Sequence, residues 1–147
     1  MKLTIEKFAS VVVTTNSTWT FAVVSDGEGS STMVEVTAGD NSRAVAGTLA
    51  DLVSELRDED IGDESDVEGL LELSSDDLRR DNVLGTAVSG LRTAVAQLSA
   101  MRAGVGLTEF LGGGPVESVP LYANINRSLF RHGADSRRLL PGGGKSG

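Results

Sequence analysis

The sequence predicts an α+β fold: a three-stranded antiparallel meander, then a three- to four-helix bundle, then one isolated strand and a disordered tail. Three observations predict it. The first 37 residues hold runs rich in Val, Ile and Phe, one of them alternating with period two, around an Asp-Gly turn. From Arg43 to Arg102 the apolar spacing lengthens to that of helices. Near the end, "SVPLYANINRSLF" at 118–130 alternates again, with Val119, Leu121, Ala123 and Ile125 against Pro120, Tyr122, Asn124 and Asn126.

The first strand is "KLTIEKFASVVV", rich in Val, Ile and Phe. The polar stretch "TTNST" separates it from "WTFAVVS", in which Trp19, Phe21 and Val23 alternate with Thr20, Ala22 and Val24. "SDGEGSS" offers Asp26-Gly27 and Gly29, where φ can be positive, as the hairpin turn into "TMVEVT". Val45, Leu49, Leu52, Val53 and Leu56 then fall on one helical face, with Asp40 or Ser42 as the cap. Ser65 with Glu68 fits a capping box opening a short helix through Leu70, Leu71 and Leu73. A long helix runs from Val83 to Arg102 along Leu84, Val88, Leu91, Val95 and Leu98. Ala87 and Ala94 allow close approach of a neighbour, and Ala103-Gly104 marks the stop. "LTEFLGG" gives one further turn.

Composition excludes several functions. A chain of 147 residues with 39% hydrophobic residues can bury one core. No apolar run approaches the roughly 20 residues of a membrane span. The start, "MKLTIEKFAS", has Glu6 and Lys7 where a signal peptide needs an apolar core, so the expected location is cytoplasmic. With no cysteine, disulfides, thiol catalysis and Cys-based zinc sites are excluded. The net charge of −8 argues against a nucleic-acid partner. Thirteen acids against three arginines lie between Asp51 and Asp81. They read as a solvated helical face, because "DEDIGDESDVE" lacks the order of a calcium loop. His132, the single histidine, reads as a surface residue of the tail. "PGGGKSG" is no phosphate loop, since Leu139 stands where that motif needs glycine.

The run "AVSGLRTAVAQLSAMRAGVGLTEFLGGGPVESVPLYANI" resembles the end of the N-terminal capping domain of the enolase superfamily, in its mandelate racemase and muconate-lactonizing branch. There a long alanine-rich helix, a small-residue turn, an "L-x-x-x-L-G-G" segment and "V-P-V-Y-A" follow one another. The opening strand, the Asp-Gly hairpin, "E-V-T" at Glu35 to Thr37 and "L-A-D-L-V-S-E-L" agree with that pattern. It departs at Thr32, Met33 and Val34, where the family places Gly-x-Gly, and in a shorter loop around the second helix.

The resemblance implies a capping domain over 1–114, the orphan first strand of a (β/α)8-type barrel over 115–130, and a disordered tail over 131–147. Such barrels take about 250 residues. The other strands, which carry the family's Mg2+ ligands and its base, would lie beyond Gly147. The chain alone is therefore expected to bind no metal and to lack catalytic residues. The family abstracts a proton α to a carboxylate, and Mg2+ stabilises the resulting charge. Its cap closes over the substrate's distal end.

Carried over by position, the first closing loop is Thr14 to Trp19 and the second lies around Asp40 to Ser42. The implied substrate-binding residues are Thr15, Asn16, Ser17, Trp19, Asp40 and Asn41, with Asn124, Asn126 and Arg127 at the end of the barrel strand. Trp19 is equally readable as the first core residue of the second strand, and Arg127 as a solvent-facing loop residue. The expected partner is a small carboxylic-acid substrate, of the sugar-acid kind, and only with a barrel present. On this reading the chain is a fragment, or a cap whose barrel is a separate chain. The alternatives are a non-catalytic homo-oligomerising or partner-binding module, and the product of a truncated gene.

Overall fold

The computed structural model describes residues 1–114 and 118–121. The chain divides into two units, the first of which is Met1–Pro115. The isolated strand expected over 115–130 and the tail over 131–147 lie outside the described residues, apart from Ser118–Leu121, which hold no regular secondary structure.

Three strands form an antiparallel sheet in the order β1 (Thr4–Thr14), β2 (Ser17–Ser25), β3 (Ser31–Glu35). β1 pairs with β2 from Thr4–Ser25 to Thr14–Ser17, with one extra β1 residue, a bulge, at Glu6 and another at Val13. The polar segment between these strands is shorter than its composition suggests. Only Thr15 and Asn16 form the turn, while Thr14, Ser17 and Trp19 are strand residues. Threonine and valine favour extended backbone, so the strands run on to the tip.

A 3-10 turn at Gly39–Asn41 leads into α1 (Ser42–Glu55). The cap differs from expectation. Neither Asp40 nor Ser42 caps in the ordinary way: Asn41 holds the N-cap position without a side-chain bond. Ser42 Oγ instead accepts from the Ala38 N–H at 2.8 Å and donates to Gly39 C=O at 2.8 Å, tying the turn together.

α2 (Asp66–Leu70) is also shorter than predicted, and Ser65 with Glu68 forms no capping box. Ser65 gives its hydroxyl to Asp63 at 2.6 Å, and Glu68 pairs with Arg92 at 2.8 Å instead. The helix stops because Glu72 takes a left-handed conformation, φ 52°. That lets the Leu73 N–H reach Glu68 C=O at 2.9 Å, satisfying a terminal carbonyl.

The capping box appears instead at Ser74 and Asp77, opening α3 (Ser75–Arg80), a helix the spacing does not predict. Asp81 then caps α4 (Asn82–Ala103) by accepting from the Val83 and Leu84 N–H groups. α4 ends where expected, with Gly104 at φ 70°, a conformation glycine adopts without steric cost. α5 (Leu107–Phe110) is the further turn read from "LTEFLGG".

The helices cover one face of the sheet. Ala22 and Val24 of β2 and Val34 of β3 are buried there with Val36, against Val45, Leu49, Leu52 and Val53 of α1 and Val88, Leu91, Val95 and Leu98 of α4. Ala87 and Ala94 are buried too, as close approach requires. A Cβ on Gly90 would meet Val36 Cγ1 at 2.8 Å, which measures how near α4 comes.

Period two then puts Trp19, Phe21 and Val23 on the uncovered face. Trp19 is 46% exposed, so it is not the first core residue of the second strand. No helix among the described residues is long and apolar enough to cross a membrane.

Candidate functional site

Both implied closing segments lie at one end of the sheet. β1 and β2 turn there at Thr15–Asn16, and β3, antiparallel to β2, finishes beside Phe21 and leads into Gly39–Asn41 at the same end. Thr15, Asn16, Asp40 and Asn41 are exposed, and Ser17 is half-buried. At the tip, Thr14 Oγ1 accepts from the Asn16 N–H at 3.3 Å, which holds the turn.

Below the tip, the covered side of the hairpin and the start of α1 enclose an open groove of about 580 Å³. Phe8, Ser10 and Thr20 line it from the strands, and Asp40, Ser42 and Arg43 from the other side. Ser10 and Thr20 lie opposite each other with hydroxyls 3.5 Å apart. The groove thus offers hydroxyls, a carboxylate and a guanidinium, a set that suits a polyhydroxy acid: Arg43 for a carboxylate and the rest for hydroxyls.

Of the residues implied by the sequence that are among the described ones, only Asp40 lines this groove. Thr15, Asn16 and Ser17 stand above it at the tip. Trp19 lies on the other face of the sheet, edge-to-face with Phe21 at a centroid distance of 6.5 Å. Asn124, Asn126 and Arg127 lie outside the described residues. Sequence reasoning missed Phe8, Ser10, Thr20 and Arg43. The signal was the strand register, since Phe8 opposite Ala22 and Ser10 opposite Thr20 follow once Ala22 is known to face inward.

The buried acid Asp26 is structural. Its Oδ1 accepts from the Glu28 and Ser30 N–H groups at 2.8 and 3.0 Å and closes the turn between β2 and β3. Burial works against its ionised form, but those bonds, with help from the Arg102 charge, hold its pKa below the usual carboxylate value.

Among the described residues no three His, Cys, Asp or Glu side chains come together as a metal site. The chain matches no protein-family model, no curated protein and no solved structure.

Proposed function

We propose that the chain is the substrate-selecting cap of a mandelate racemase or muconate-lactonizing type of enzyme in the cytoplasm. The catalytic barrel, with its Mg2+ and base, lies outside these 147 residues. The substrate class is a small carboxylic acid bearing hydroxyls. The observation that carries this reading is the placing of two polar turns, Thr15–Asn16 and Gly39–Asn41, at one end of a meander backed by helices. A cap works by such an arrangement: the sheet and helices fix two loops that exclude water and contact the part of the substrate away from the reacting carbon. Thr15, Asn16 and Ser17 then bond distal hydroxyls, and Asp40 with Arg43 discriminates among them by charge.

The test is deuterium exchange at the α-carbon of a panel of sugar acids with Mg2+. It is run on these 147 residues alone and on them together with the polypeptide encoded immediately downstream, fused or co-expressed. Exchange by the pair, with none by the chain alone, is expected. Exchange by the chain alone overturns the proposal, as does a downstream region that encodes no barrel.

A further inference from the structure

From Phe8 to Ser25 the chain runs for 18 residues without a single charge, although 23% of all its residues are charged. That stretch is the β1–β2 hairpin, and β1 is an edge of the sheet whose only sheet partner among the described residues is β2. Its exposed side chains include Val11 (50%), Val12 (75%) and Val13 (45%). An open strand edge is a template for another strand, and folded proteins ordinarily blunt it with charge, proline or shortness. β3, the other edge, is blunted: it has five residues and ends on Glu35. β1 has eleven, and the seven that follow Glu6 and Lys7 carry no charge.

The direction of the backbone groups fixes which β1 residues are available. Thr20 turns towards β3, because its N–H donates to Thr37 Oγ1 at 2.9 Å and its C=O accepts from the Val36 N–H at 2.8 Å. The Ser10–Thr20 pair is therefore not hydrogen-bonded within β1–β2. Ser10 accordingly points its own N–H and C=O outward, as do Phe8 and Val12 two residues to either side. The stretch Lys7–Val12 lies between the two bulges and is regular.

We propose that a second copy of this chain occupies this edge, pairing antiparallel with β1 about a two-fold axis at Ser10 and joining two sheets into one of six strands. In that register Phe8 meets the partner copy's Val12, an aromatic–β-branched pair, and Ala9 meets Val11. Lys7 falls opposite Val13 and Glu6 opposite Thr14, so no like charges are opposed. A register centred on Lys7 would set two ammonium groups face to face. The charge distribution selects the same surface: two chains of net charge −8 repel elsewhere and meet here along a neutral strip. The contact is isologous and consumes both edges, so it closes at two copies. None of this depends on the cap reading.

Sedimentation velocity on the full chain at tens of micromolar is the first measurement, and a mass near twice 15.3 kDa is expected. Since the chain has no cysteine, Ser10→Cys introduces a lone thiol. On the axis, the paired Cα atoms lie about 5.5 Å apart, within reach of a disulfide. Mild oxidation links that variant into a covalent dimer. Val12→Cys does not link, because its two copies are four residues out of register, roughly 14 Å along the strand. Val12→Lys, at an exposed position, keeps the wild-type circular dichroism and gives a monomer. A monomeric wild type, equal cross-linking of the two cysteine variants, or a dimer that survives Val12→Lys overturns the proposal.

Discussion

At Asp26 a carboxylate with only 2% of its surface exposed remains more acidic than one in water. Burial alone would raise its pKa above the ordinary 3.8, yet two backbone donors, the Ser30 hydroxyl and Arg102 outweigh that and lower it. The consequence for stability has a definite sign. A group whose folded pKa is depressed stabilises fully above its unfolded pKa and loses that contribution as pH falls through the folded value. Denaturant titrations of wild type and Asp26→Asn should therefore differ most at neutral pH and converge as pH drops below about 3.8. Replacing Asp26 by Ala removes both turn bonds and is expected to cost about 1–3 kcal/mol. The sequence marked this turn through Asp26-Gly27 but gave no sign that the acid is buried. Between α1 and α4 it also contains Ser followed three residues later by an acid twice, at Ser65–Glu68 and Ser74–Asp77. Only the second closes as a cap, because the first serine has Asp63 beside it and bonds there.

Among the elements, α4 was readable nearly to the residue, since twenty-two residues hold several turns of apolar spacing and a glycine ends them. α3 was not, because six residues hold too little periodicity, and Leu78 is its one apolar side chain. The packing of these two helices sets a local rule. A Cβ on Gly85 would lie 2.7 Å from Leu78 C=O, a backbone atom that cannot step aside alone. Alanine is worth about 1 kcal/mol over glycine in a helix. Gly85→Ala is nevertheless expected to destabilise by about 1–2 kcal/mol, since forced overpacking costs more than propensity returns. Urea unfolding of the variant measures the difference. The strands were legible as strands, but which face of β2 points inward was not. The bulkier set, Trp19, Phe21 and Val23, looks like the core face on hydrophobicity alone. The smaller set is buried instead, because α4 approaches so near that Gly90 abuts Val36.

For the molecule as a whole, charge is the uneven quantity. The thirteen acids between Asp51 and Asp81 face three arginines, and the exposed Asp76 pairs with Arg79 and Arg80 at 3.6 and 3.8 Å are too solvated to offset the repulsion. Salt screens repulsion between exposed charges. Raising NaCl from about 10 mM to about 0.5 M is thus expected to raise the melting temperature by a few degrees, read by circular dichroism. The candidate site was legible at this scale only as topology. The order of strands and turns sends two polar loops to one end, but Ser10, Thr20 and Arg43 are separated in the chain and meet only through register and helix placement. The hairpin that carries the first loop contributes no core residue between Phe8 and Trp19. It is a cantilever: anchored where Ala22 and Val24 are gripped and Thr20 is bonded to Val36 and Thr37, unsupported beyond. A load at its free end bends the span and leaves the anchorage undisturbed, so compliance sits at the end that meets other molecules.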